Sequence, residues 1–335
     1  MNNTLVIGDL HLDNKIPGML ESQVESVKRI IEDQKHVTKI VFLGDVFMMR
    51  RPKPSVLLAF REIVEFIKNL HPFAAPDVFV LRGNHDSENK NDDGITALSL
   101  YDYPWLNIVT EGIHTGSSCY IPHYEDEETI KSFLRNSDGD TRVFGHFGYF
   151  GSLNSAGDND FSLVPDDFKC RTYLGHIHKY KREKNITVVG TPYTTSFSEA
   201  GKDNYYLTIG DGKDEAHLVE FGPRHVVVEA TDLADRIEYL NDPNYFTLVR
   251  IIMTTQSEEM ESIAPIIDQL NVGYCEIKYS PVIRELDVQS DYNPEDPVYE
   301  ISDELVEEYI NHSETKLGKD VLLEGLKTIH ENQRS

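Results

Sequence analysis

The sequence predicts an α/β protein in which two β-sheets pack against each other and are flanked by helices. Two observations predict this class. Strands and helices alternate in the first part of the chain, whereas short strands bounded by Gly, Asp and Asn predominate from about residue 105. A third pattern, a strand, a helix and a strand within residues 244–280, predicts a small additional domain.

The first sheet is predicted from apolar segments that end in polar residues: "TLVIGD" (4–9), "KIVFLGD" (39–45) and "DVFVLRG" (77–83). Amphipathic helices are predicted between them at 21–33 and 55–70, and the second begins just after Pro54. Such a βαβαβ series implies parallel strands with right-handed crossovers, and ligands at the carboxyl ends of the strands.

The second sheet is predicted from six short strands, at 117–123, 141–147, 171–178, 186–193, 204–210 and 216–221. We therefore expect a two-sheet domain at 1–222, a small α+β domain at 223–286, an acidic linker with two prolines at 287–300, and a helical region at 301–335. The last region contains two amphipathic stripes: Leu305, Val306, Tyr309 and Ile310, then Val321, Leu322, Leu326 and Ile329.

The composition indicates a globular protein without a basic nucleic-acid-binding face. The chain of 335 residues has a formal net charge of −25, so a polyanionic substrate would need bound metals or a basic partner. Three widely spaced cysteines suggest neither a disulfide framework nor a cysteine metal site. Neither a signal peptide nor a membrane segment is evident, so we expect a cytoplasmic protein.

Candidate metal ligands stand at the predicted strand ends: Asp9, His11, Asp45, Asn84, His146, His176 and His178. Such a set of oxygen and nitrogen ligands without thiolate suits manganese, iron or zinc rather than calcium. Seven groups are too many for one ion, but they are about right for two ions that share a carboxylate. A single "GH" is more often a surface loop, whereas five such clusters in order favour a metal site.

The chain resembles the calcineurin-like metallophosphoesterases. The five motifs of that family are, in order, D-x-H, then G-D, then G-N-H-D or G-N-H-E, then G-H, and finally G-H-x-H. All five are present, as "DLH", "GD", "GNHD", "GH" and "GHIH", within residues 5 to about 210. The resemblance implies the metallophosphoesterase two-sheet β-sandwich and two divalent metal ions, most commonly manganese. It implies one ion held by Asp9, His11, Asp45 and His178, and another by Asp45, Asn84, His146 and His176. It also implies catalytic roles for His85, which would contact the scissile phosphate, and for Asp86, which would orient His85.

Within that superfamily, "VVGTPYTTSFSEAGKDNYYLTI" is similar to the segment after the last motif in double-strand-break repair nucleases, namely SbcD-type nucleases and the nuclease subunits of bacteriophage recombination endonucleases. That likeness implies a manganese-dependent exonuclease or endonuclease in DNA recombination and repair. It further implies a homodimer, a capping domain, and C-terminal helices that dock on an SMC-like ATPase. For a phage-encoded chain, the location would be the host cytoplasm.

One departure from the nuclease pattern concerns the residue three positions after Asp45. Many of these nucleases have a histidine there, in "GDLFH", whereas this chain reads "GDVFMMR" and has Met48. A second phosphate-contacting histidine is therefore missing. Arg50 or Arg51 is a candidate replacement, although either is equally well explained as a solvated loop charge.

Three other functions remain as alternatives. A phosphoprotein phosphatase would have "GDxxDRG" and "GNHE", which this chain lacks. A nucleotide phosphodiesterase would leave the chain beyond Phe221 without a role. A non-catalytic scaffold on the same fold would not need the intact ligand set.

Overall fold

The computed structural model describes residues 3–279, except for 72, 74, 90–93, 153–161, 211–212 and 254–257. These residues all belong to one compact unit, 1–282. The predicted linker at 287–300 and the predicted helices at 301–335 lie outside the described residues, and so do their apolar stripes.

The described elements are fifteen strands and five α-helices. The strands are β1 Thr4–Ile7, β2 Lys39–Phe42, β3 Asp77–Leu81, β4 Leu106–Val109, β5 Ile113–Thr115, β6 Ser118–Ile121, β7 Arg142–Gly145, β8 Arg171–Leu174, β9 Lys181–Glu183, β10 Ile186–Val188, β11 Tyr205–Ile209, β12 Asp214–Leu218, β13 Gly222–Glu229, β14 Tyr245–Met253 and β15 Tyr274–Tyr279. The helices are α1 Met19–Asp33, α2 Pro54–Leu70, α3 Glu127–Arg135, α4 Ile237–Leu240 and α5 Glu258–Ile267.

Two six-stranded sheets form the body of the fold. The first has the order β12-β11-β1-β2-β3-β4, with β1 to β4 parallel and with β11 and β12 antiparallel at one edge. The second has the order β5-β6-β7-β8-β10-β9, with a parallel centre from β6 to β10 and antiparallel edge strands. The predicted α/β fold with two mixed sheets is therefore confirmed.

The alternation of side chains along each strand produces the layers. In β1, Leu5 and Ile7 face an outer core beneath α1 and α2, while Val6 faces the core between the two sheets. In that inner core Phe79 of the first sheet stacks on Tyr120 of the second, with ring centroids 4.1 Å apart. The sheets are thus held face to face by buried apolar side chains.

Helix α2 shows why the sequence folds in this way. Pro54 occupies its first turn, where a missing N–H costs nothing, and the residues that it buries recur at helical spacing: Val56, Ala59, Phe60, Ile63, Val64 and Ile67. This stripe is part of the outer core. It therefore packs against the first sheet.

One sequence prediction about the sheets was wrong. The strands at 204–210 and 216–221 were expected in the second sheet, but β11 pairs antiparallel with β1 and carries β12 into the first. The alternation of apolar residues specifies which face of a strand is buried, but it does not specify the neighbouring strand.

A third sheet of three parallel strands, β13-β14-β15, follows the sandwich. It has its own apolar core, which includes Leu233, Leu240, Val249, Ile251 and Met253. The strand, helix and strand expected at 244–280 are present as β14, α5 and β15, and β13 adds a strand that was not predicted. No helix among the described residues is long and apolar enough to cross a membrane.

Candidate metal centre

Loops after the parallel strands of both sheets bring the predicted site residues together. The structure contains three groups of potential metal ligands, and within each group the ligand atoms lie within 4.8 Å of one another. The groups are Asp9, His11 and His178; Asp45, His146 and His176; and His11, Asp45 and His85. Adjacent parallel strands end at the same edge of a sheet, which explains how residues up to 169 positions apart in the chain meet here.

Asp45 lies between the first two groups. Its Oδ2 is 3.7 Å from His11 Nε2, and its Oδ1 is 3.5 Å from His146 Nε2. The two oxygens of one carboxylate are therefore directed toward different sets of imidazoles. This is the arrangement expected of a carboxylate that bridges two metal ions.

The group that contains His146 also includes Asn84. The Asn84 Oδ1 atom lies 3.0 Å from His146 Nε2 and 3.1 Å from His176 Nδ1. The orientation of the His146 ring is fixed on the side away from Asn84, because its Nδ1–H donates a 2.8 Å hydrogen bond to the Leu43 carbonyl. That bond leaves Nε2 with a lone pair directed into the site, as metal-ligating histidines require.

The other group contains Asp9, His11 and His178. The two Nε2 atoms of the histidines are 3.0 Å apart, and His178 Nε2 is 3.7 Å from Asp9 Oδ2. The Asp9 carboxylate also accepts the backbone N–H of His176, at 2.8 Å and 3.1 Å to its two oxygens. Asp9 thus connects the loop after β1 to the loop after β8.

The backbone at the site is strained. Among the described non-glycine residues, four have positive φ, and three of these are His11 at 44°, Asp45 at 48° and His176 at 74°. Left-handed backbone costs a non-glycine residue of the order of 1–3 kcal/mol and persists where the surroundings enforce it. Strain concentrated at these three residues is typical of a functional site.

Glycines permit the close approach of the strand ends, as the "GD" and "GNHD" motifs suggested. A Cβ atom added to Gly83 would lie 2.1 Å from Asp45 Oδ1, and one added to Gly44 would lie 2.5 Å from His146 Nδ1. Gly44 also has φ of 110°, which side chains disfavour. Any larger residue at these positions would push the site apart.

The electrostatics of the buried carboxylates favour a bound cation. Burial, together with the nearby Asp45 charge, raises the pKa of Asp9 to about 6, although His146 and His178 oppose this shift. Burial acts in the same direction on Asp45, but the contacts with His146 and His11 prevail and hold its pKa well below the usual value. Two buried carboxylates that repel each other are stabilised by positive charge placed between them.

His85 lies beside this centre and is held by the backbone. Its N–H donates to Asp45 Oδ1 at 2.8 Å, and its Nδ1–H donates to the Met48 carbonyl at 2.7 Å. Its ring packs edge-on against His11, with centroids 4.9 Å apart. The Nε2 atom of His85 is therefore the one available to a substrate. Met48 supports His85 through its main-chain carbonyl, so this contact does not depend on the Met48 side chain.

Asp86, which the resemblance expects to orient His85, contacts the backbone of the loops around it. The Asp86 carboxylate accepts backbone N–H groups of Gly83 at 2.9 Å, Val46 at 3.2 Å and Phe47 at 3.1 Å. Burial and the Asp45 charge raise its pKa to about 7. Asp86 thus holds the loops after β2 and β3 together and positions His85 through the backbone.

Two residues near the site were missed by the sequence analysis. Glu199, in the short 3₁₀ helix Phe197–Glu199, accepts a very short hydrogen bond from His178 Nδ1 and a 2.6 Å bond from the Thr195 N–H. His123 is buried, with its ring centroid 6.2 Å from that of His146 and 6.0 Å from that of His176. His123 is the last residue of the predicted strand at 117–123, so a search for polar residues at strand ends could have found it. No sequence pattern marks Glu199.

The donor set fits two divalent cations. Carboxylate oxygens and imidazole nitrogens converge within 4.8 Å in each group, and the Asn84 amide oxygen lies against His146 and His176. The carboxylate behind His178 is the usual support for a metal-ligating imidazole, because it fixes the tautomer and increases ligand basicity.

Replacement of Glu199 by Gln is expected to lower manganese affinity or the rate of hydrolysis about 10- to 100-fold, because His178 would lose its charged partner. The manganese dependence of hydrolysis measures this effect. Glu238→Gln, at an exposed position of α4, serves as the control and should be unchanged. An unaltered manganese dependence in Glu199→Gln would show that His178 needs no such support.

Comparison with known proteins agrees with the geometry. Residues 3–180 match the calcineurin-like phosphoesterase family. Among solved structures, the chain is similar to a purple acid phosphatase, PPD1, isolated from yellow lupin (Lupinus luteus) seeds, with a TM-score of 0.40 and 12% identity over 66% of this chain and 52% of that chain. The chain thus spans about half the length of that protein. No curated protein matches the sequence. The matched residues make up more than half of the chain and contain all seven predicted ligands, the last of which is His178. The chain therefore belongs to the calcineurin-like phosphoesterase family.

Proposed function

We propose that the chain is a DNA nuclease that hydrolyses phosphodiester bonds at a dinuclear metal centre. The observation that carries the proposal is Asp45, whose two oxygens face different groups of imidazoles. Seven candidate ligands, one of which is the shared carboxylate of Asp45, suit two manganese ions better than a single ion.

Each part of the site has a role in this proposal. Asp9, His11 and His178 would hold one ion, Asn84, His146 and His176 the other, and Asp45 both. Two bound divalent cations supply Lewis-acid stabilisation of phosphate oxygens and activation of water.

The protein itself contributes a proton-transfer group. His85 Nδ1 is engaged by the Met48 carbonyl, so Nε2 can hydrogen bond to the phosphate or exchange a proton with the departing oxygen. Asp86 keeps the loop of His85 against the loop of Asp45.

DNA is favoured over other phosphoesters by features outside the ligand set. The segment "VVGTPYTTSFSEAGKDNYYLTI" contains Glu199, which supports His178, so the nuclease-like segment is part of the site. The chain continues beyond Phe221 into a third sheet, for which a nucleotide phosphodiesterase offers no role. "GDVFMMR" and "GNHD" differ from the phosphoprotein phosphatase pattern, and an intact ligand set disfavours a non-catalytic scaffold.

Two partners are part of the proposal. The net charge of −25 repels long DNA, so a complex with an SMC-like ATPase would supply the basic surface. A homodimer would bury exposed apolar side chains. Leu58, on α2, is 61% exposed, and Leu100, near α2, is 71% exposed.

We expect the terminal apolar stripes to dock on the ATPase, since an amphipathic helix can lie in an apolar groove of a partner. In the full-length chain Leu322→Asp should abolish copurification with the ATPase and stimulation by ATP, while basal cleavage of short single strands continues. Thr328→Asp adds the same charge at a residue outside the predicted apolar stripe and should have no effect. If Leu322→Asp binds the ATPase as tightly as the unmodified chain in calorimetry, the stripe folds back on the chain's own small domain.

The substrate class is tested by comparing hydrolysis of four substrates with manganese: linear single-stranded DNA, duplex DNA, a cyclic nucleotide and a phosphopeptide. Cleavage of DNA, lost on chelation of the metal, is the expected result. Hydrolysis of the phosphopeptide or the cyclic nucleotide without cleavage of DNA would favour a phosphatase or a nucleotide phosphodiesterase instead.

A further inference from the structure

We propose that a cavity beside the metal centre binds one nucleotide of a single DNA strand, next to the scissile phosphate. The inference rests on the proposed nuclease function. The cavity has a volume of about 350 Å³ and lies between the loop after β1 and the segment that leads into α2. Its volume is within the range of about 300–1,000 Å³ that is usual for small-molecule sites.

Two backbone segments that line the cavity are adjacent in the chain to residues of the candidate metal centre. Leu12, which lines it, directly follows His11, and Met49, which also lines it, directly follows Met48. Because successive Cα atoms are about 3.8 Å apart, the cavity begins within one residue of a candidate ligand and of the carbonyl that holds His85. In this proposal, a strand with its phosphate at the metals extends along these two segments into the cavity.

The two walls of the cavity are joined to each other. Leu12 N–H donates to the Val46 carbonyl at 2.9 Å, and Met48 N–H donates to the Leu12 carbonyl at 3.2 Å. Across the cavity, the Asn14 side-chain amide donates to Ser55 Oγ at 2.7 Å. These bonds form the cavity before any ligand binds, which reduces the entropy lost on binding.

The charge of the cavity is opposite to that of the chain. Lys15, Arg51 and Lys53 line it, although the chain as a whole carries −25. No described residue forms an ion pair with Lys15 or Lys53, and Arg51, 83% exposed, lies 3.8 Å from Glu88 Oε1. Asp13 also lines the cavity, and its Oδ1 accepts the Lys15 N–H at 3.1 Å. The remaining excess of positive charge suits a phosphate group.

A larger cavity elsewhere differs from this one in the ion pairing of the cations that line it. It has a volume of about 470 Å³ and is also lined by cationic side chains, including Lys131 and Arg135. There, however, Lys131 lies 3.2 Å from Glu128, and Arg135 lies 3.6 Å from the same carboxylate. Lys131 and Arg135 are therefore already paired, and none of the residues that line that cavity is adjacent in the chain to a candidate metal ligand.

Apolar side chains complete the nucleotide site. Met49 is 63% exposed and lines the cavity together with Leu12 and Val56. An exposed methionine is flexible and polarisable, so it can pack against the face of any base or sugar. The site would therefore bind a nucleotide through its phosphate and one apolar face, with little preference for sequence.

The test is a double variant, Lys15→Ala with Lys53→Ala, in the full-length chain with manganese. We expect the KM for a single-stranded oligonucleotide to rise about tenfold at low salt, while kcat changes less than about twofold. The slope of log KM against log salt concentration should fall by about 0.7, because the contact with one phosphate of a single strand is removed. Hydrolysis of bis(p-nitrophenyl) phosphate, which has no second phosphate for the two lysines to contact, should be unchanged.

Lys68→Ala is the matched control, because Lys68 is an exposed residue at the other end of α2, about 20 Å from Lys53 along the helix. It should leave both the KM and the salt slope as they are, and Lys15→Arg with Lys53→Arg should retain most of the oligonucleotide affinity. A double alanine variant that behaves like Lys68→Ala, in a chain that cleaves DNA, would overturn this inference alone. An unmodified chain that hydrolyses bis(p-nitrophenyl) phosphate but no DNA would overturn the proposed nuclease function, and the nucleotide site with it.

Discussion

Asp45→Asn is expected to lower the rate of manganese-dependent phosphodiester hydrolysis by about 10³-fold or more. The substitution keeps the size of the side chain but removes the charge that faces both groups of imidazoles. A metal ion contributes several kcal/mol of transition-state stabilisation, and each 1.36 kcal/mol corresponds to a factor of ten in rate. The measurement is kcat on a linear single-stranded oligonucleotide at saturating manganese.

The control for this variant is Asp77→Asn. Asp77 is exposed at the start of β3, at the opposite end of the same sheet from the site, so its substitution removes the same charge without reaching the metals. Thermal unfolding in the presence of a chelator should show that both variants fold. Full activity in Asp45→Asn would mean that no metal needed for catalysis depends on this carboxylate.

His85→Gln should lower kcat by about 10²- to 10⁴-fold, the usual contribution of a general acid or base. The glutamine cannot exchange a proton as the imidazole Nε2 can, although it is similar in length. Since Nδ1 of His85 is bound to the Met48 carbonyl and not directed at the carboxylates, we expect manganese binding to remain close to that of the unmodified chain. Calorimetry with manganese and kcat on DNA measure the two effects separately.

The outcome for manganese binding decides the role of His85, because this residue also lies within ligand distance of His11 and Asp45. His36→Gln, at an exposed position after α1, is the control for the substitution itself. If His85→Gln loses one manganese ion per chain, His85 is a metal ligand rather than a group that acts on the substrate.

Much of the site could be predicted from the sequence because its geometry follows from strand order. Once β1, β2 and β3 are parallel, Asp9, Asp45 and Asn84 must lie at one edge of the sheet, whatever the loops between them. The apolar runs that define these strands are strong signals, since each strand is almost entirely buried.

Other features depend on contacts that no local pattern encodes. The hydrogen bond between His178 and Glu199 joins residues 21 positions apart through a short 3₁₀ helix without periodicity. β5 was not predicted, because all three of its residues are exposed and it exists only by pairing with β6. The left-handed backbone of His11 is likewise imposed by the packed site, against the preference of the residue itself.

His85 and Asp86, which follow Asn84, also combine a predictable feature with one that only the fold reveals. The resemblance implied that Asp86 orients His85, but it did not say through which contacts. In the structure Asp86 accepts three backbone N–H groups, including that of Phe47. Leaving those buried donors unpaired would cost about 1–3 kcal/mol each, so the fold fixes the orientation of Asp86 before any catalytic demand is considered.

The most direct test of a dinuclear centre that shares Asp45 is an electron paramagnetic resonance titration of the full-length chain with manganese. At two equivalents per chain we expect a spin-coupled signal from ions about 3.5–4 Å apart, because a bridging carboxylate holds them at that separation. The single-ion spectrum should dominate only before the second ion binds. A single-ion spectrum that persists when two ions are bound, or saturation at one ion per chain, would contradict the shared-carboxylate centre.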